Sequence, residues 1–267
     1  MNILEVETPD TLKVSWPTGD QELDSVFAKD GIKKSTITLI YGKGGTGKTS
    51  FCQQLADRLN GNKNAIVLYN GLEESPFQMK ATAERLGLKN GFILGTSTTV
   101  EALITEGNKL QAANPEKTLF IFIDSLQALC NGSQKEQIQS LEQLHTWAKN
   151  STVTLFIVSQ VGKTGIYLGS GKIAHIVDMQ IALTVDNLKR SHFYGMHILT
   201  VEKNRFGEAG NDRIYSLDGN GFRLIPKHSF QYQVAGAMDK VNKADSAMRK
   251  INTVLRIGRG LKNFFGK

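Results

Sequence analysis

The sequence predicts a three-layer α/β fold in which a mainly parallel sheet is flanked by helices and extended near the C-terminus by antiparallel strands. Short runs rich in Ile, Val, Leu and Phe recur along the chain, and the first four are continuously apolar, as strands buried on both faces of a parallel sheet are. The runs lie at 36–41, 65–69, 119–123, 153–158, 179–184 and 197–201. Helical patterns separate them, and this alternation is typical of the α/β class.

Four segments between the apolar runs have helical patterns. They lie at 49–59, 76–86, 99–113 and 134–149. Pro76 suits the first turn of its helix, and Gly87 suits the position after the last turn. Later in the chain, runs at 213–217 and 222–225 are separated by Asp218-Gly219-Asn220-Gly221, which predicts a hairpin. We therefore expect a β-rich edge that closes the parallel sheet.

Length and composition fit a globular protein. The chain has 267 residues and 40% apolar content, which suffices for a packed core. No run approaches the roughly eighteen apolar residues that a membrane span requires, and the N-terminus lacks the pattern of a signal peptide. We therefore expect a cytoplasmic protein without a membrane span. Two cysteines, Cys52 and Cys130, are too few for a disulfide framework or a four-thiolate zinc site, and we expect packed, reduced thiols.

The net charge of +7 is concentrated at the C-terminus. Residues 236–267 contain eight basic and two acidic side chains, whereas residues 1–235 contain 24 and 23. Apolar residues recur there at three- and four-residue steps, which predicts a basic amphipathic helix. We divide the chain into a core at 1–228 and a tail at 229–267. The basic face of the tail suits nucleic acid phosphates, and its apolar face suits a partner subunit or a membrane surface; we favour DNA or a partner protein.

The most specific motif follows the first predicted strand. Its residues are Gly42-Lys43-Gly44-Gly45-Thr46-Gly47-Lys48-Thr49, with Ser50 next. Glycines allow backbone N–H groups to surround phosphates, Lys48 supplies a charge for the β and γ phosphates, and Thr49 supplies a hydroxyl for Mg²⁺. A strand before the motif and a helix after it are the context that a P-loop requires. The motif predicts a site for ATP and Mg²⁺.

Two carboxylates are candidates for the rest of this site. Asp124 follows a predicted strand of continuously apolar residues, the Walker B pattern in which the acid holds Mg²⁺ through water, although an Asp at a strand end also commonly caps the next helix. Glu73 follows another strand, at the edge where open α/β sheets bind ligands, and we assign it the polarisation of the attacking water. Glu74 and Ser75 are expected only to lead into a helix N-terminus.

Several motifs in this order resemble a known family. They are the P-loop, Leu72-Glu73-Glu74-Ser75, Phe122-Ile123-Asp124-Ser125-Leu126-Gln127 and Lys203-Asn204-Arg205-Phe206-Gly207. Their order is similar to the RecA-type ATPase core of the RadA (Sms) proteins, relatives of RecA and of DnaB helicases. The likeness begins at Thr18-Gly19-Asp20-Gln21-Glu22-Leu23-Asp24 and covers roughly residues 16–225. It implies a RecA-like P-loop NTPase fold.

The resemblance also implies roles for residues beyond the P-loop. Lys203 and Arg205 would reach the γ-phosphate held by a neighbouring subunit, although alone they could be an ordinary basic patch on an edge strand. Gln160 would sense the γ-phosphate, and the loop at 161–172 would line a DNA channel. Its candidate DNA contacts are Lys163, Tyr167 and Lys172. A residue that acts in trans requires a homo-oligomer, and we expect a hexameric ring.

The combined expectation is a Mg²⁺-dependent ATPase that couples hydrolysis to single-stranded DNA binding or translocation in recombination, repair or replication. The chain shows neither the four-cysteine zinc finger nor the Lon-like domain usual in RadA proteins, and 169–171 reads Gly-Ser-Gly where Gly-Pro-Arg is typical. We therefore expect an intact ATPase core alone. Two alternatives stay open: a compact DnaB-like replicative helicase, and a KaiC-like, nucleotide-gated module that binds proteins and no DNA.

Overall fold

A computed structural model describes residues 2–7, 15–130, 134–160, 170–187, 195–226 and 228–229 of the chain. The chain divides into two units, one formed by 1–184 with 197–224 and the other by 185–196 with 225–267. In the second unit, the Asp186 carbonyl accepts a bond of 2.7 Å from the Gly195 amide. The predicted tail at 229–267 lies outside the described residues except for Ser229, so the predicted division of the chain into core and tail stays a prediction.

The first unit contains alternating strands and helices. The strands are β1 (Ser15–Trp16), β2 (Ile32–Lys33), β3 (Ile37–Gly42), β4 (Ala65–Gly71), β5 (Ile93–Gly95), β6 (Thr118–Asp124), β7 (Thr154–Gln160), β8 (Met179–Val185, whose last residue belongs to the second unit), β9 (His197–Asn204), β10 (Asn211–Asp218) and β11 (Gly221–Leu224). The helices are α1 (Gln21–Phe27), α2 (Lys48–Asn60), α3 (Pro76–Arg85), α4 (Val100–Ala113), α5 (Leu126–Cys130), α6 (Gln134–Asn150) and α7 (Ser170–Ile176).

Within the described residues, nine strands form one sheet in the order β11-β10-β9-β8-β3-β7-β6-β4-β5. The pairings among strands β3 to β8 are parallel. Strand β10 pairs antiparallel with both β9 and β11. The fold is therefore α/β, with a mainly parallel central sheet and antiparallel strands near the C-terminus, as the sequence predicts. Strands β1 and β2 form a separate antiparallel pair.

Helices cover both faces of the sheet because side chains alternate along each strand. Phe120 and Phe122 of β6 pack on one face with α2, whereas Ile121 and Ile123 pack on the other with α4 and α6. All four side chains are fully buried. Cys52 of α2 is also fully buried, and Cys130 is half-buried. This three-layer core holds the strand ends in fixed positions.

The parallel register aligns the carboxyl ends of the central strands. Gly42, the last residue of β3, pairs with Gln160 of β7, and Gly71 of β4 pairs with Asp124 of β6. The residues that follow these strands therefore meet at one edge. The prediction that residues 170–172 belong to a loop is wrong, because they form the first turn of α7.

Candidate functional site

The P-loop connects β3 to α2 and depends on two left-handed glycines. Gly45 has φ 79° and Gly47, the N-cap of α2, has φ 85°, conformations that residues with a Cβ rarely adopt. The Lys48 ammonium donates to the carbonyl oxygens of Gly42 and Lys43, at 2.9 Å each. The loop therefore curls around its own lysine, and the N-terminal amides of α2 supply the donors that suit phosphate oxygens.

Strand β10 supports the P-loop from outside the parallel part of the sheet. The buried Tyr215 hydroxyl donates to the Thr46 carbonyl at 2.7 Å. The side chain of Leu217 lies so close to Gly47 that a Cβ on this glycine would stand 2.8 Å from it. The antiparallel extension thus fixes the loop conformation, a role that no sequence motif indicated.

Asp124 ends β6 beside the P-loop helix and is 6% exposed. The Tyr69 hydroxyl donates to its Oδ2 at 2.9 Å, and the Thr49 side chain is also hydrogen-bonded to it. Burial raises the pKa of Asp124, while the bonds with Thr49 and Tyr69 oppose that rise. Burial lowers the pKa of Lys48, and the charges of Asp124 and Glu73 act in the opposite direction. Two charged groups are thus held close together and largely out of water.

The donors at this edge fit the expected cofactors. Thr49 and Asp124 present a hydroxyl and a carboxylate next to each other, and such hard oxygen donors suit Mg²⁺. On α2, one turn beyond Thr49, both amide atoms of Gln53 are buried without a hydrogen-bond partner among the described residues. A hydrated cation beside Thr49 would bring polar atoms to this region. The residues present therefore fit a Mg²⁺–nucleotide complex.

Glu73 lies two residues beyond β4 and contacts two side chains from neighbouring strand ends. The Ser125 hydroxyl donates to its Oε1, and Gln160 Nε2 lies 3.1 Å from both of its carboxylate oxygens. The structure thus brings Glu73 and Gln160 together, next to the edge where Asp124 ends its strand. A carboxylate held by two donors keeps a defined orientation, which a base acting on water requires.

Gln160 is itself positioned by Gln127 of α5. The Gln127 amide donates to Ser159 Oγ at 2.7 Å, and its oxygen accepts from the Gln160 backbone N–H at 3.3 Å. Ser125 and Gln127 belong to the motif at 122–127, but no role was predicted for either side chain. The sequence feature that could have indicated a role for them is their position just after Asp124, at the edge where the strand ends meet.

Ser75 and Glu74 differ in their surroundings. Ser75 caps α3 and forms a reciprocal capping box with Gln78, as its position before a helix suggests. Glu74 is half-buried, and its Oε2 has no hydrogen-bond partner among the described residues. Burial raises its pKa, and the charges of Asp124 and Glu73 add to that effect. Glu74 therefore belongs to the site more closely than a surface acid before a helix would.

Lys203 and Arg205 contact their own chain near α7. Lys203, on β9, donates to the carbonyls of Ala174 and Val177, the latter at 2.6 Å. Arg205, one residue beyond the strand, forms a 2.7 Å ion pair with the buried Asp178 and is 39% exposed. Their predicted role in a neighbouring site stays a prediction. In one chain, both side chains stabilise the end of α7 and its connection to β8.

The predicted DNA contacts are only partly described. Lys163 and Tyr167 lie outside the described residues, whereas Lys172 is exposed on α7. Their DNA role stays a prediction. Within the described parts of the chain, no helix is both long and apolar enough to cross a membrane.

Comparison with known proteins gives consistent results. Residues 16–91 match the family described as the KaiC ATPase. Over 220 residues the chain is 31% identical to a DNA repair protein RadA of Aquifex aeolicus, which covers 79% of this chain and 46% of that protein. Over 230 residues it is 29% identical to the RadA of Bacillus subtilis, with coverages of 84% and 47%.

The chain thus spans about half the length of these curated relatives. A solved structure of a KaiC-like protein from Pyrococcus horikoshii OT3 superimposes with a TM-score of 0.61, over 80% of this chain and 98% of that one. At 19% identity this likeness shows the fold. Taken with the P-loop and the acidic strand ends, the comparisons identify the chain as a homologue of the RadA proteins that carries a KaiC-like ATPase domain of the RecA fold.

Proposed function

We propose that the chain is a Mg²⁺-dependent ATPase that assembles head to tail, completes each active site with a residue from the neighbour and couples hydrolysis to single-stranded DNA. The observation that carries the hydrolytic part is the position of Glu73. Its carboxylate is held by Ser125 and Gln160 at the sheet edge where the P-loop and Asp124 also lie. A P-loop alone binds phosphates, whereas an oriented carboxylate beside it can also activate water.

In the proposed mechanism, the P-loop amides and Lys48 bind the β and γ phosphates. Lys48 already faces the loop interior through Gly42 and Lys43, so binding exchanges carbonyl partners for phosphate oxygens. Thr49 and Asp124 would hold Mg²⁺, which would supply positive charge to the phosphate oxygens. Glu73 orients the attacking water and accepts its proton. Gln160, bonded to that carboxylate, links it to the segment 161–169, which follows β7 directly.

The shared site depends on Arg205. Its guanidinium is partly exposed although it pairs with Asp178, so a neighbouring chain has access to it. A head-to-tail interface repeats the same contact in every subunit and closes into a ring when the rotation permits. We propose a hexameric ring in which Lys203 and Arg205 stabilise charge at the neighbour's γ-phosphate.

DNA is proposed as the activating ligand because the curated relatives are named DNA repair proteins. Lys172 is exposed on α7, and the glycines, Lys163 and Tyr167 of 161–169 suit contacts with a strand of phosphates and bases. The basic residues at 236–267 are a second proposed contact, either with DNA or with a partner protein.

A KaiC-like, DNA-independent module is the second candidate. It is favoured by the KaiC family match at 16–91, which spans the P-loop and Glu73, and by the likeness of the fold to a KaiC-like structure. Phosphate release by the purified chain, with and without single-stranded DNA, separates the two. Stimulation by DNA supports the first function, and an unchanged rate supports the second; strand displacement on a forked duplex would identify a compact helicase.

Lys48→Ala tests the hydrolytic function itself. The change removes the charge that faces the phosphates, so we expect ATP turnover in Mg²⁺ to fall by at least about a hundredfold. Lys43→Ala is the matched control, because the Lys43 side chain is exposed in the same loop. Turnover that survives Lys48→Ala would contradict the assignment.

A further inference from the structure

Gln53 is a buried polar residue that the proposed mechanism does not use. It lies in α2 four residues after Thr49, on the same side of the helix. Its side chain is 0% exposed, and neither Nε2 nor Oε1 has a hydrogen-bond partner among the described residues. Buried amides are nearly always hydrogen-bonded, because an unpaired one loses its bonds to water and gains none. Such a residue in the middle of a helix therefore points to a polar partner.

Gln53 lines a small cavity beside the proposed cation site. The lining residues are Thr49, Gln53, Tyr69, Gly71, Glu73, Glu74, Met79 and Asp124. Glu74 contributes a second buried atom without a partner, its Oε2. Two unpaired groups, one on α2 and one after β4, thus border the same cavity as the hydroxyl of Thr49 and the carboxylate of Asp124.

The donor set around this cavity suits a cation that keeps its water. Among the described residues, no group of three or more histidine, cysteine, aspartate or glutamate side chains could hold a metal ion by itself. Mg²⁺ commonly uses one or two protein oxygens together with phosphate and several waters, which are held in turn by a second set of polar groups. An amide oxygen and a carboxylate oxygen are acceptors for the hydrogens of such waters.

We propose that Gln53 and Glu74 are outer-sphere residues of the divalent cation site, which accept hydrogen bonds from the waters of a cation held by Thr49 and Asp124. This proposal rests on the proposed Mg²⁺–ATP function and deepens it. It gives Glu74 a role distinct from that of Glu73: Glu73 acts on the attacking water, and Glu74 helps to hold the cation. Gln53 and Glu74 act through cation-bound water, so they are positioning residues.

Nucleotide binding with and without the cation tests this proposal on the full chain. The probe is a fluorescent ADP analogue, titrated once in Mg²⁺ and once in EDTA. Gln53→Leu keeps the volume of the side chain and removes both polar atoms. We expect it to weaken binding in Mg²⁺ roughly tenfold, the lower end of effects seen for outer-sphere residues, and to leave binding in EDTA unchanged. A purely structural role would change both titrations alike.

Gln54→Leu is the matched control, because Gln54 neighbours Gln53 on α2 but accepts a hydrogen bond from the Phe222 amide at 2.8 Å and does not line the cavity. It should keep the full gain in affinity from Mg²⁺. Glu74→Met, a second variant of similar size that has no oxygen acceptor, should reduce the gain as Gln53→Leu does. Thermal unfolding without ligand verifies that each variant is folded, and Gln53→Leu should melt no lower than the unmodified chain.

The outcomes separate this inference from the function on which it rests. An unmodified chain that binds the probe equally in Mg²⁺ and in EDTA would contradict the Mg²⁺-dependent function, and the inference with it. An unmodified chain that gains affinity from Mg²⁺, together with folded Gln53→Leu and Glu74→Met variants that gain as much, would overturn the inference alone. A roughly tenfold smaller gain in both variants, with Gln54→Leu unaffected, supports it.

Discussion

The carboxylate of Asp124 is subject to two opposing demands. Cation binding requires its charge, whereas burial in the sheet edge disfavours that charge and raises its pKa. Hydrogen bonds with Thr49 and Tyr69 offset part of this cost. The same compromise recurs at Lys48, whose pKa burial lowers while nearby acids raise it. At the scale of single residues, burial therefore disfavours the charges of both Asp124 and Lys48, and in the proposed function a bound cation and phosphates would offset this cost.

Asp124→Asn should therefore stabilise the metal-free chain at neutral pH. The pKa of Asp124 is raised by folding, so the folded state retains a proton at pH values where the unfolded chain has lost it. Stability falls as pH rises through that window, and the cost of the charge persists above it. We expect Asp124→Asn to have a higher urea midpoint than the unmodified chain at pH 8. The difference between the two midpoints should shrink as the pH falls. A midpoint below that of the unmodified chain at pH 8 would contradict this.

Glu73→Gln should lower the rate of hydrolysis while leaving nucleotide binding intact. The amide cannot accept a proton, and general bases contribute about 10²- to 10⁴-fold to rate. Ser125→Ala keeps the base and removes one of its two donors, so its loss of kcat should be smaller. Phosphate release gives kcat, and fluorescence titration gives affinity. If Glu73→Gln turned over at the normal rate and Glu74→Gln did not, the base would have to be reassigned to Glu74.

At the scale of elements, the antiparallel extension supports the catalytic loop. Strand β10 carries the Tyr215 hydroxyl to the Thr46 carbonyl and packs Leu217 against Gly47. The ring of Tyr215 stacks on the ring of Phe222 in β11 at a centroid distance of 4.3 Å. The hairpin predicted from the sequence therefore closes the sheet and also stabilises the conformation of the P-loop.

Tyr215→Phe isolates this support. The ring stays in its stack, while the buried Thr46 carbonyl loses its donor, a loss worth about 1 kcal/mol of folding free energy. We expect a lower urea midpoint and weaker nucleotide binding. Ser216→Ala, on the same strand, is the control, since its hydroxyl makes only a 3.5 Å contact with the Arg223 carbonyl. Nucleotide binding that is unchanged in Tyr215→Phe would show that the loop needs no brace.

The elements that could be predicted are those whose signal is local. Continuous apolar runs predicted the buried parallel strands, the P-loop was predicted from its own motif, and Asp124 was predicted from its position at a strand end. The contacts of Ser125 with Glu73 and of Gln127 with Ser159 join residues 52 and 32 positions apart. Hydrophobic periodicity carries no information about such pairs, because it reports which face of one element is buried. The contacts of Ser125 and Gln127 could therefore be identified only from the packing at the edge of the sheet.

At the scale of the whole molecule, the proposed function takes the P-loop, the residues for the cation and the carboxylate that activates water from one chain. Lys203 lies on β9 and Arg205 directly follows this strand. Both side chains contact their own chain, at the end of α7 and at Asp178. To act on a neighbour's phosphates, both must exchange these partners for phosphate oxygens. Assembly and hydrolysis are therefore coupled in this proposal, because each active site takes Lys203 and Arg205 from a neighbouring subunit.

Mixing two variants tests this central claim most directly. Lys48→Ala damages the phosphate loop and Arg205→Ala removes the residue donated to the neighbour, so each variant alone should show little ATP turnover. In a random mixed ring, about a quarter of the interfaces pair an intact Lys48 with an intact Arg205. We predict that phosphate release recovers in the mixture. If it does not recover although both variants are folded and assembled together, or if Arg205→Ala is fully active alone, the shared site is contradicted.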